Sequence, residues 1–236
     1  MRQSSSPGVT STTEDAASDG QSEPDDRMAV LDIRHFLLLL LEEGLTIFYQ
    51  PFTGRVVEPQ LFGALISAMS TFYADGSSPL GQRIPQDLEF RGYRSSASYG
   101  DLVTGVFLHH GRVPDRLVAG LERFISVFES DYGLVLKRWD GDARLFNLTD
   151  LRRELFESLD CLDLVPHELT LRAMLSLERE PYGAVLRELR RYTARRGQFF
   201  FGDAVRRLSS PANYSDWKAH LLLSEMRAKG LISPVL

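Results

Sequence analysis

Groups able to do acid–base, nucleophilic or metal chemistry are few and scattered in this 236-residue chain, which has one cysteine and five histidines. His109 and His110 close the apolar run "LVTGVFLHHG". Adjacent residues on a strand point to opposite faces, so the pair does not readily grip one metal ion, and a plain strand end is the favoured reading. Cys161 sits in "LDCLDLV" between apolar neighbours. A buried small hydrophobe is favoured there over a catalytic thiol. Asp140 and Asp142 in "WDGD" suggest a turn more than a calcium loop, because the other loop ligands are missing. Zinc needs clustered cysteine and histidine, which the chain lacks. No Gly-x-x-x-x-Gly-Lys-Ser/Thr phosphate loop is present, and no Gly-x-Gly-x-x-Gly follows a strand. No catalytic, cofactor-binding or metal residue is expected, and the chain reads as a non-enzyme.

Charge is the strongest remaining signal. The whole chain is −5, yet from Ala184 onward ten Lys/Arg face four Asp/Glu. Arg187, Arg190, Arg191 and Arg195 fall on or just after one expected helix, Arg206 and Arg207 on a second, Lys218 on a third. Such a basic face binds phosphates of nucleic acid or an anionic bilayer, or meets an acidic protein, or is simply solvated. A solvated or intramolecular face is the leading reading, a protein or membrane partner the second, nucleic acid the third. One cysteine excludes an intrachain disulfide and favours a reducing, cytoplasmic setting. Peripheral contact with a membrane stays open.

These residues must be carried by regular elements. Residues 1–27 are polar, with six acids against two arginines. They cannot bury enough surface to offset chain entropy and read as a disordered tail, with Met28 as a second candidate start. "HFLLLLLEEG" then begins an apolar run too short for the roughly 20 residues of a membrane span. It reads as a strand covered on both faces, followed by a turn and the strand "LTIFYQPF". "EPQLFGALISAMSTFYADG" repeats apolar residues at helical spacing, with Leu61, Leu65, Met69 and Phe72 as the main stripe. "DLEFRGYRS", "SASYGD" and "LVTGVFLHHG" read as three strands, and "VPDRLVAGLERFISVFESDYG" as an amphipathic helix. The order β–β–α–β–β–β–α predicts an α+β fold with a five-stranded antiparallel sheet and helices packed on it over 28–148. From Thr149 or Asp150, either of which can cap a helix, 149–236 reads as a separate all-α unit.

The stretches "HFLLLLLEEG", "LTIFYQPF", "EPQLFGALISAMSTFYAD", "LEFRGYR", "GDLVTGVFLHHG" and "LVAGLERFISVFESDYGLVLKRWDGD" resemble, in order and apolar pattern, the longin family of profilin-like, SNARE-like domains. The related roadblock fold places a helix before its first strand, and residues 28–34 are too short for one. The second unit, with three helices and then "KGLISPV", resembles a winged-helix module cut off before its wing is complete. The longin resemblance implies partners: a small GTPase or another longin/roadblock-type subunit, met through the sheet edge and first helix, with a homodimer also open. Open strand edges invite such pairing. Phe62 and Ile66, on the flank of that helix, are the candidate partner-binding residues, against ordinary core packing. The expected function is a non-enzymatic adaptor or regulator in a trafficking-like or polarity-like system. The alternative is a DNA-binding transcriptional regulator, with the basic module on DNA and the longin-like unit dimerising.

Overall fold

The computed structural model describes residues 22–41, 43–74, 89–90, 92–139, 141–175, 182–210 and 214–235. The apolar run near the front is a strand, β1 (Ile33–Leu40), buried along its whole length. Phe36, Leu38 and Leu40 face a core shared with α3 (Asp115–Leu136) and α4 (Leu148–Leu159). Leu37 and Leu39 face the other side, where Ile66 of α2 (Pro59–Ala74) packs. A strand covered on both faces has no reason to alternate apolar with polar, and this one does not. Among the described residues no helix is long and apolar enough to cross a membrane.

β1 joins β2 (Thr46–Pro51), β3 (Glu89–Phe90), β4 (Tyr93–Tyr99) and β5 (Val103–His109) in the order β2-β1-β5-β4-β3. Every neighbouring pair is antiparallel. β3 contributes two residues, so four strands carry the body of the sheet. The expected strand break near Ser95 falls instead at Gly92, whose φ of 80° lies in the left-handed region that glycine enters freely. The proline-rich loop at 77–86 lies outside the described residues.

Three boundaries differ from expectation. A helix, α1 (Ser22–Val30), precedes β1 and begins within the stretch read as a tail. Asp25 and Asp26 pair with Arg112, and Val30 and Leu31 enter the two main apolar cores, one each. Acidic composition hid an element held by its docking. With α1 in place, the lack of a leading helix no longer separates the longin order from the roadblock order. Second, α4 belongs to the first core: Leu151, Leu155, Phe156 and Leu159, then Cys161, Leu164 and Val165, all pack there. The first core therefore extends to Val165, past the boundary expected at 148. Gly120 of α3 allows this, since a Cβ there would lie 2.7 Å from the Ser158 carbonyl oxygen. Third, α4 is capped by Asn147, whose side chain accepts from the amides of Thr149 and Asp150, the two residues expected to cap it.

The second unit is not all-α. β6 (Pro166–Leu169), α5 (Leu171–Leu175), α6 (Tyr182–Thr193), β7 (Gln198–Phe200), α7 (Phe201–Ser209), α8 (Asp216–Ala228) and β8 (Ile232–Pro234) follow in turn. The strands make a separate antiparallel sheet in the order β7-β6-β8. β8 thus finds its partner in β6, more than 60 residues upstream, so no downstream hairpin is needed. The core between this sheet and the helices holds Leu186, Leu189, Phe199, Phe201, Leu223 and Met226. Ser215 caps α8 by accepting from Lys218 N–H.

Candidate functional site

The face of the first sheet under α2 is one place where function could sit. The helix is pinned at its start: Gln60 bonds both backbone groups of Thr46, and the Thr46 hydroxyl donates to the Pro59 carbonyl. This geometry turns Ile66 inward, where it is 4% exposed, and leaves Leu61 63% exposed. The expected stripe is therefore rotated. Gly63 is a point of close approach, where a Cβ would meet Thr46 Oγ1 at 2.5 Å. Ile66 is a core residue and is withdrawn as a docking residue. Phe62 is half-buried, with its ring edge-on to Tyr93. Tyr49, Tyr93, Ala97 and Tyr99 are also only partly buried on this face.

The seven expected basic residues do not act as one set. Arg190 is held at the end of α5, donating to the carbonyls of Ala173 and Met174. Arg191 and Arg207 share Glu188. Arg206 donates to Asp203 and, at 3.1 Å, to the Leu31 carbonyl. Arg187, Arg195 and Lys218 are exposed, the last with its ammonium 5.5 Å from the centre of the Tyr214 ring.

Arg206 and Arg207 instead contribute to a seam between the two units. Its organiser is Asp203, in the first turn of α7. The Asp203 carboxylate accepts from Gly54 N–H at 2.6 Å, from the Thr53 hydroxyl at 3.0 Å, from the Tyr192 hydroxyl at 3.3 Å and from Arg206. Burial pushes the acid's pKa up, but the Gly54 amide, Arg206 and Thr53 outweigh it and hold it below the usual carboxylate range. Asp203 is thus an ionised clasp on the loop that leaves β2. Arg196 closes the same loop by donating to the Gly54 carbonyl.

Arg34 reaches this seam through a β-bulge. Ile33 pairs with His109 and His35 with Leu108, so Arg34 is the extra residue opposite β5. A bulge re-aims the side chain it carries. The Arg34 residue is 9% exposed, its Nε has no hydrogen-bond partner, and its nearest acid, Asp32, is 3.9 Å away. Burial first, then Arg206, lowers its pKa to about 10, against the opposing pull of Asp32 and Asp203. Arg34, Arg55, His110, Asp203, Arg206 and Arg207 line a cavity of about 440 Å³. Arg34, Arg55 and Asp203 were not singled out from sequence, although an arginine at the head of a buried apolar strand was a usable signal.

The other candidates are engaged elsewhere. His109 is buried between the Ser96 hydroxyl and the Gly111 carbonyl, while His110 is exposed and stacked on Tyr93. Cys161 is buried in the first core, and burial, with Asp163 nearby, pushes its thiol up to about 11. It is therefore protonated at neutral pH. Asp142 accepts from the backbone and guanidinium of Arg144 in a tight turn; Asp140 lies outside the described residues. Among the described residues no group of three His, Cys, Asp or Glu could hold a metal ion. No family model, no curated protein and no solved structure matches the chain.

Proposed function

We propose that the chain is a non-enzymatic adaptor or regulator that binds a small GTPase or another longin/roadblock-type subunit. Its first unit is read as longin-like, and its second as a winged-helix-like module in which β6 supplies the strand that a wing hairpin otherwise provides. The observation carrying this reading is the unequal cover of the first sheet. Two helices, α3 and α4, pack on one face, while α2 alone among the described helices crosses the other. Leu61 and, at the entry to α2, Val56 (75% exposed) add apolar surface beside the half-buried tyrosines. Apolar surface grouped beside a sheet edge is what a protein partner covers. The DNA-binding reading draws less support, because Arg190, Arg191, Arg206 and Arg207 already serve acceptors within the chain.

The test is affinity capture from native extract with the tagged full chain and with Leu61→Glu, an exposed position whose change spares the core. Mass spectrometry should identify a small GTPase or a longin/roadblock-type subunit on the wild type, reduced at least tenfold on the variant. Recovery of nucleic acid with no such protein would overturn the proposal.

A further inference from the structure

We infer that the cavity at the seam is a binding site for a soluble polyphosphate, a di- or triphosphate group held between the two units. Four arginines line it, in a chain that is acidic overall; Arg206 already meets Asp203 and Arg207 meets Glu188, which leaves Arg34, with Asp32 at 3.9 Å, and the exposed Arg55 to meet a ligand. Asp203 is already saturated by Gly54, Thr53, Tyr192 and Arg206, so it orients a guanidinium and is not an open competing acceptor. Arg34 is the decisive group. Its side chain is 11% exposed, it sits on a bulge that turns it to the cavity wall, and its Nε has no acceptor. A buried cation left this way is costly unless an anion completes it.

The ligand class follows from charge and size. Guanidinium forks match phosphate oxygens, and a single carboxylate would neutralise only one of Arg34 and Arg55. A cavity of about 440 Å³ suits a small molecule and not a polymer. Arg34 and Arg55 come from the first unit, Arg206 and Arg207 from the second, so a bound polyphosphate would tie the units together where Asp203 already does. The site does not depend on what docks at α2.

The experiment is calorimetric titration of the full chain with inorganic pyrophosphate and tripolyphosphate at low salt. Saturable one-to-one binding is expected, weakening as salt rises. Arg55→Ser, on an exposed loop where the fold is not at risk, and Arg34→Gln should each weaken it about tenfold or more. Arg195→Ser, an exposed arginine outside the cavity, should bind as the wild type does. Competition by adenosine triphosphate or by an inositol pyrophosphate identifies a nucleotide or an inositol pyrophosphate as the source, and either result upholds the site. Absence of saturable binding, or equal weakening in Arg195→Ser and Arg55→Ser, would overturn it. Leu61→Glu should bind pyrophosphate normally, so failure here and failure of the docking proposal are separable.

Discussion

The two cores of this molecule are held in different ways. The first is built from long strands and interlocked rings: Phe36 lies 5.7 Å from Phe107 and 5.6 Å from Phe124, all fully buried. The second has strands of three or four residues and leans on a charged cluster where it meets the first. There Asp163 accepts from His220 at 2.9 Å and from Arg227 at 2.8 Å, and Arg227 also reaches His167 at 3.3 Å. Apolar area stabilises without regard to direction, so the first core tolerates small shifts. The cluster works only while every member is satisfied.

The largest effect expected from this contrast is at Asp163. Burial raises its pKa, but His220 and Arg227 outweigh that and keep it ionised. Asp163→Ala leaves a buried histidine without its acceptor and a mostly buried guanidinium with no anion, only the His167 ring nitrogen, which costs about 3–5 kcal/mol. Chemical denaturation should show it. A loss under about 1 kcal/mol would mean that the second core rests on its apolar contacts alone.

Next comes acid sensitivity, which both regions share for different reasons. His35 lies in the first sheet between Tyr49 and Tyr93; the Tyr49 hydroxyl, which accepts from Val57 N–H, donates to Nδ1. Nε2 is buried without a partner. Burial, then Arg34 and His110, lower the pKa of His35 to about 4. Burial, then Arg227, lower that of His167 to about 4 as well. Both folded values are depressed below the unfolded 6.5. Stability is therefore full above about pH 6.5 and is lost as pH falls toward 4, by about 2 kcal/mol per histidine at pH 5. Urea midpoints at pH 7 and pH 5 should differ less in His35→Phe than in the wild type. An unchanged difference would mean that His35 is not held neutral.

How much of this could be read from the residues follows the same contrast. Phe36 to Leu41 read best as a covered strand, over a membrane-lying helix, because a glycine and a β-rich stretch follow, and Leu117, Leu121, Phe124 and Phe128 mark α3 by spacing alone. The face of α2 was misread because its stripe is wide, and the centre is fixed by Gly63 against Thr46, a contact no period encodes. β6, β7 and β8 are too short to show alternation and exist through pairing across 30 to 67 residues. The seam was the least legible part. Asp203 and Thr53 are 150 positions apart, and only the fold makes them neighbours.

The smallest effect bears most directly on whether the two cores are one folding unit. Asn147 caps α4 in the first core and Ser215 caps α8 in the second. Replacing either with alanine costs about 1 kcal/mol. The two tryptophans report separately: Trp139 packs against the first core, and Trp217 stacks on His220 in α8. Val30 and Leu31, the Asp203 clasp and the Asp163 cluster all cross the seam, so the cores should unfold together. Asn147→Ala should then shift the urea midpoint seen at Trp217, with Trp139 replaced by phenylalanine, as much as the one seen at Trp139 with Trp217 replaced. Ser215→Ala should do the same in reverse. If each cap moves only the tryptophan of its own core, the seam is a docking contact between two independently stable bodies. A ligand held there would then set their relative placement without altering the stability of either.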